Sequence, residues 1–257
     1  MIQIILYTFA ILIGLCVGSF LNVLIYRMPL EKNVVFPPSA CPKCETPLRW
    51  FHNIPLLSFI FLKGKCSFCF EKISWRYPLV EILNALFFLL IVIKEPQWIA
   101  WPFHAYLLSS LLVATFIDLD HWIIPDLLTL PGIVIGLIGS VLIPNQIFFM
   151  HFLGTIIGGG ILLFLAWAYE FFAKREGLGG GDIKFLAMVG AFLGVQGALS
   201  TLIMSSLLGS IIGIFLILVK GRGAKTAIPF GPFLALGTLF TFLLGDSFWQ
   251  WYFQFGR

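Results

Sequence analysis

The sequence predicts an all-α, polytopic integral membrane protein with about eight transmembrane helices and one polar, cysteine-bearing loop after the first of them. Three observations carry that expectation. Hydrophobic residues make up 60% of the 257 and charged residues 11%, with 28 phenylalanines and a mean hydropathy of +1.00. Soluble globular chains sit near ~45–50% and ~25%, so a cytosolic enzyme, a disordered chain and a disulfide-rich secreted module are excluded. The apolar residues also gather in runs close to the ~20 residues that cross a hydrocarbon core as a helix. Finally, the 16 Lys and Arg fall almost wholly between alternate runs. The net charge of +4 is no nucleic-acid signal; its placement is what informs.

Candidate spans fall at 3–26, 78–93, 101–118, 127–144, 150–172, 183–197, 199–219 and 231–248. Several are short or abut, so the count is seven or eight. No basic residue precedes the first run and no small-residue cleavage site follows it, so it reads as a signal-anchor rather than a cleaved signal peptide. The loop at 27–77 carries Arg27, Lys32, Lys43, Arg49, Lys63, Lys65, Lys72 and Arg76. Alternation of the spans places Lys174, Arg175, Lys184, Lys220, Arg222 and Lys225 on the same side, and only Lys94 and Arg257 opposite. The positive-inside rule then makes that side cytoplasmic, with the N-terminus outside and, for eight spans, the C-terminus outside too. The expected organisation is a first transmembrane helix at 1–26, a cytoplasmic loop at 27–77 and a transmembrane core at 78–257. The loop is too short to build a good core unaided. Gly158, Gly159 and Gly160 are expected to permit close helix packing.

Four of the five cysteines lie in that loop, as Cys41-x-x-Cys44 and Cys66-x-x-Cys69, separated by 21 residues. Two such pairs at this spacing suit a tetrahedral, four-thiolate structural zinc site, and the metal would supply the staple that the loop lacks. A reducing compartment disfavours disulfides. A redox dithiol is the competing reading, and His52 an alternative ligand, although four cysteines fill the shell. A closed shell gives the zinc no catalytic role. Cys16, in the first helix, is expected to be inert packing.

Acidic groups near a bilayer are costly and usually functional. The candidates are Asp118, Asp120, Asp126 and Asp182, with Glu81 and Glu170 as further possibilities. Asp118 ends the third span and Asp182 opens the sixth, so the topology brings both to the cytoplasmic face at similar depth. Two close carboxylates share a proton; one can then deprotonate a water while the other donates to a peptide carbonyl, as in aspartic peptidases. The glycines before Asp182 would let an extended substrate backbone approach. Plainer roles exist: Asp126 and Glu81 could each favour the N-terminus of a helix, and Asp120 and His121 could simply meet water. Spacing alone leaves an aspartic peptidase and a proton-coupled transporter equally open, and a non-enzymatic assembly factor with a zinc loop is a third reading.

Several motifs together carry a resemblance. Gly18-Ser19-Phe20-Leu21-Asn22-Val23, the cysteine pairs, Asn53-Ile54-Pro55-Leu56 and Arg76-Tyr77-Pro78-Leu79-Val80-Glu81 come first. Asp118 with Ile124-Pro125-Asp126, the G-x-G-D motif from Gly179 to Asp182, and Ile228-Pro229-Phe230-Gly231-Pro232 follow in order. Nearly end to end, the chain resembles the bacterial type IV prepilin peptidases, which serve type IV pili and type II secretion. The resemblance implies a G-x-G-D intramembrane aspartic peptidase of the bacterial inner membrane with Asp118 and Asp182 as its catalytic pair, supported by Gly179 and Gly181. It implies removal of a basic leader from prepilins or pseudopilins at the cytoplasmic face. The new N-terminal residue, commonly Phe, would then be methylated from S-adenosylmethionine. It links Gly64, before Lys65-Cys66, to that second activity, for which spacing gives no independent support. Glu45 departs from the family's frequent glycine after the second cysteine.

Overall fold

The computed structural model describes residues 1–174, 179–220 and 228–255. Arg175, Arg222, Lys225 and Arg257, whose charges entered the topology above, lie outside the described residues. Among those described the chain is helical, with isolated bridges but no strand. The helices are α1 (Ile2–Arg27), a short α2 (Leu57–Phe61), α3 (Arg76–Lys94), α4 (Trp101–His121), α5 (Asp126–Leu142), α6 (Phe148–Ala173), α7 (Gly180–Lys220) and α8 (Gly231–Phe255). That is the form lipid demands, because a helix satisfies its backbone groups internally. α1, α3, α4, α6 and α7 are long and apolar enough to cross a membrane. α8 adds another if the parts on either side of its 72° bend count together, while α5, at 17 residues, is shorter. The chain forms two compact units, Met1–Val113 and Ala114–Arg257.

In the first unit α1 and α3 pack antiparallel through small residues one turn apart. A methyl group on Gly14 would lie 2.7 Å from the Cα of Ala85, and one on Gly18 would lie 2.7 Å from the Cα of Glu81. Such close backbone approach is how helices associate where apolar burial gives no net drive. Two buried asparagines join the same seam. Asn22 Nδ2 donates to Tyr77 O at 3.1 Å, and Asn84 Nδ2 donates to Gly14 O at 2.8 Å while its Oδ1 accepts from Ser109 Oγ at 2.8 Å.

In the second unit α7 is two arms, 180–193 and 195–220, meeting at Gly194, whose φ of 67° lies in the left-handed region that glycine tolerates best. The arms fold back on one another. A methyl on Gly158 of α6 would lie 2.7 Å from Leu186 O in the first arm and 3.3 Å from the Ala198 Cβ in the second. Twelve residues of continuous helix would hold those atoms about 18 Å apart. The sequence separates two spans between 197 and 199; the structure turns a few residues earlier, where the backbone leaves the helical region. α6 runs antiparallel to the first arm, with Gly154 against Gly190, and parallel to the second. α8 runs antiparallel to the second arm, with a Thr201–Thr241 hydroxyl bond of 3.2 Å and Trp249 Nε1 donating to Ser200 Oγ at 2.8 Å. The reversal leaves carbonyls without helical partners. One is met by His151, buried in α6, whose Nδ1 lies 3.1 Å from Ala191 O and must therefore carry the proton. Of the three consecutive glycines, Gly158 and Gly159 meet α7, but Gly160 has nothing within 4 Å.

A methyl group on Gly190 would overlap the Gly154 carbonyl. We expect Gly190→Leu to destabilise the protein by about 1–3 kcal/mol or more, read as a lower melting midpoint in detergent, whereas Gly160→Ala should leave that midpoint unchanged or raise it.

Candidate functional site

The four loop cysteines come together. Each pair forms a tight turn built alike: Glu45 N–H donates to Cys41 O at 2.9 Å and Phe70 N–H to Cys66 O at 3.0 Å. Each turn is closed by a bridge, Ala40 with Pro47 and Lys65 with Lys72. The residue after each second cysteine is left-handed, Glu45 at φ 56° and Phe70 at φ 58°, so neither turn requires glycine there. The sulfurs of Cys41, Cys44, Cys66 and Cys69 lie within 4.8 Å of one another, and none is in a disulfide.

Hydrogen bonds from the side chain and backbone of Thr46 lower the Cys44 thiol to about 6. Backbone N–H groups of Cys69 and Phe68 lower that of Cys66. The Cys69 thiol rises to about 12, because the Glu71 N–H that favours its thiolate is outweighed by burial and by the neighbouring sulfurs. Four thiolates this close cannot all form without a cation among them. Four soft sulfur donors this close suit a metal ion of matching softness. His52 stands outside the cluster, with Nε2 3.4 Å from Ser67 Oγ. Gly64, just before the second turn, has a φ of 67°; a methyl there would lie 3.1 Å from the Phe59 ring.

In the second unit Asp118 and Asp182 lie at neighbouring helix ends. Asp118 lies on the last turn of α4, is 5% exposed, and accepts a hydrogen bond at Oδ2 from the Gly231 N–H at 2.8 Å. That N–H is one of the unpaired donors at the start of α8, so the carboxylate of one helix caps another. Asp182 sits in the first turn of α7, half-buried, with its N–H donating to Gly179 O at 3.2 Å. The two carboxyls are close enough for the charge of Asp118 to be felt at Asp182. Gly181 brings the backbone of α7 against Ile124 in the turn between α4 and α5: a methyl there would lie 3.0 Å from the Ile124 Cβ. Gly179 faces Asp182, its Cβ position 3.6 Å from Oδ2.

The other acidic candidates separate from this pair. Asp120 and His121 end α4 on its exposed side, and Glu170 is exposed near the end of α6. Glu81 lies beyond the first turn of α3, which starts at Arg76, so the helix dipole does not explain it. It is buried and accepts the Leu56 N–H at 2.9 Å, holding the Asn53–Leu56 segment to α3. Cys16 lies on the exposed side of α1 rather than in its packed seam. Asp126 does open α5, but it also has a partner that the sequence did not suggest. Lys184 Nζ lies 2.6 and 2.7 Å from its two carboxylate oxygens. Gly231 was missed as well: a methyl there would sit 2.7 Å from Asp118 Oδ2. Its signal was present in Ile228-Pro229-Phe230-Gly231-Pro232, but spacing said nothing of what the glycine touches.

Known proteins match both halves. The bacterial peptidase A24 N-terminal domain matches residues 12–95, and the type IV leader peptidase family matches residues 105–214. A prepilin leader peptidase/N-methyltransferase of Aeromonas salmonicida is 39% identical, covering 96% of this chain and 93% of its own. Proteins of the same name from Pseudomonas aeruginosa and Neisseria gonorrhoeae are 37% and 36% identical, covering 95% and 94% of this chain and 92% and 91% of theirs. No solved structure gives a significant match. With relatives this similar along nearly its whole length, and both halves matched in order, the chain belongs to the prepilin leader peptidase/N-methyltransferase family.

Proposed function

We propose that this protein removes the leader from prepilins or pseudopilins as an intramembrane aspartic endopeptidase and then N-methylates the new N-terminus. The closeness of Asp118 and Asp182 at neighbouring helix ends carries the peptidase reading. One carboxylate takes a proton from water as its oxygen attacks the scissile carbonyl, and the other donates a proton to the carbonyl oxygen. As the tetrahedral intermediate collapses, the first carboxyl passes its proton to the amide nitrogen and the second recovers a proton from the hydroxyl, so the C–N bond breaks to a leader carboxylic acid and a free amine. Gly179 leaves room beside Asp182 for a substrate backbone, whereas Gly181 lets α7 close on Ile124. The distribution of basic residues supports a bacterial inner membrane setting with this site and the cysteine loop on the cytoplasmic side. A transporter or a non-enzymatic assembly factor, open from spacing alone, is not favoured, because the relatives carry the names of enzymes.

Cys41, Cys44, Cys66 and Cys69 would hold zinc, which when bound staples the two turns of the loop. S-adenosylmethionine would supply the methyl group to the amine that cleavage exposes. Gly64 supports a part for the loop in that step through its left-handed backbone, which sets how the second cysteine turn leaves α2.

Purified Asp118→Asn or Asp182→Asn protein should keep its fold and metal but cleave a prepilin at least about 100-fold more slowly, followed by leader loss on a gel; wild-type rates in either variant would remove the pair from catalysis. Metal analysis should find about one zinc per chain, lost in a Cys41→Ser, Cys44→Ser double variant together with thermal stability. Gly64→Val should still shorten the prepilin yet leave the product unmethylated by mass, and a methylated product would clear Gly64 of any part in the transfer.

A further inference from the structure

We infer that the Lys184–Asp126 ion pair positions the two candidate catalytic aspartates, fixing the start of α7 against the start of α5, one short connection beyond Asp118. The inference rests on the peptidase reading above. Lys184 Nζ contacts both oxygens of Asp126, at 2.6 and 2.7 Å, although the side chains are 40% and 55% exposed. Exposed pairs contribute little to stability, so general stabilisation is a poor account of this one. Its place is more telling. A cation near the N-terminus of a helix opposes the helix dipole, and Lys184 lies just past the first turn of α7. Asp126, in the first turn of α5, offsets the penalty across the gap.

Ile183 and Ala187 hold the start of α7 to Gly159 of α6, but the residues before Asp182 are glycines. Gly179, Gly180 and Gly181 offer no side chains, and glycine is the residue least able to define its own backbone. Here Gly181 rests on Ile124, just before α5, and Lys184 binds Asp126, the first residue of α5. Ile124 lies in the short connection after α4, whose last turn carries Asp118, and Asp126 opens α5 directly beyond it. Covalent chain and ion pair therefore close a ring from Asp118 through the connection to Asp126, across to Lys184 and back two residues to Asp182. Residues two apart on a helix do not face each other, so Lys184 acts on Asp182 through the backbone. It is a positioning residue. Asp118 is fixed separately, by the Gly231 N–H at 2.8 Å.

The test is steady-state cleavage of a prepilin by the purified full-length protein in lipid nanodiscs. Lys184→Met and Asp126→Asn should each lower kcat about tenfold or more, with KM within about twofold, as a small misplacement of reacting groups predicts. Lys184→Arg, able to bind both oxygens, should recover most of the rate. The Lys184→Met, Asp126→Asn double variant should be no slower than the slower single variant, because both remove one interaction. Wild-type kcat in Lys184→Met, an effect confined to KM, multiplying defects in the double variant, or no recovery with Lys184→Arg would each overturn the inference. If Lys184→Met fails to fold, the contrast between Asp126→Asn and Lys184→Arg decides in its place. A wild-type protein that does not cleave prepilin sinks the peptidase reading itself; one that does, with Asp182→Asn inactive and Lys184→Met at full rate, sinks the ion-pair inference alone.

Discussion

A straight helix of the 41 residues in α7 would be about 60 Å long, twice the ~30 Å of a hydrocarbon core, so α7 cannot cross a bilayer as a rod. It folds back at Gly194, and the second unit is arranged around that turn. Gly154 lies between Gly190 and Gly194, close enough for backbones to touch, and Gly158 reaches both arms. The fold-back sends α8 antiparallel to the second arm, so the start of α8 returns to the level where α7 begins. Gly231 can then donate to Asp118 while Asp182 opens α7 nearby. A contact that only hydrogen-sized side chains allow thus sets which helix ends meet.

Polar groups in such a fold are tolerated where the backbone answers them. Asp118 takes an orphan N–H from α8, His151 answers a carbonyl at the reversal, and Asn22 and Asn84 answer carbonyls where Gly14 and Gly18 bring α1 and α3 together. Glu81 follows the same rule with the Leu56 N–H. Each of these side chains ties two segments, and each sits near a glycine contact or a break in a helix. The cysteine cluster has a different answer: in a short loop, four sulfurs lie close enough to hold a cation, which would let them all ionise.

Much of this was legible in the amino-acid sequence, for identifiable reasons. Apolar runs marked the helices because lipid penalises every interruption, and the cysteine spacing announced a cluster because C-x-x-C confines two sulfurs to one turn. The level of Asp118 and Asp182 followed from counting spans, which required reading 183–219 as two. Hydropathy suggested that break but could not place it, since the residues on both sides of Gly194 are equally apolar. The side-chain contacts stayed hidden. Nothing in the spacing of Asp126 and Lys184, 58 residues apart, says that they touch, and Glu81 looked like a dipole residue because α3 was expected to start later than it does. Gly160 was grouped with Gly158 and Gly159, although the helical twist carries it away from α7.

On the proposed mechanism the two aspartates activate water directly, without a covalent intermediate on the protein. Single-turnover cleavage of a prepilin in heavy-oxygen water, with the masses of enzyme and released leader followed together, tests it most directly. The account predicts a leader whose new carboxyl carries one solvent oxygen and an enzyme whose mass never rises during turnover. A transient acyl-enzyme adduct, on a cysteine or any other side chain, would contradict it.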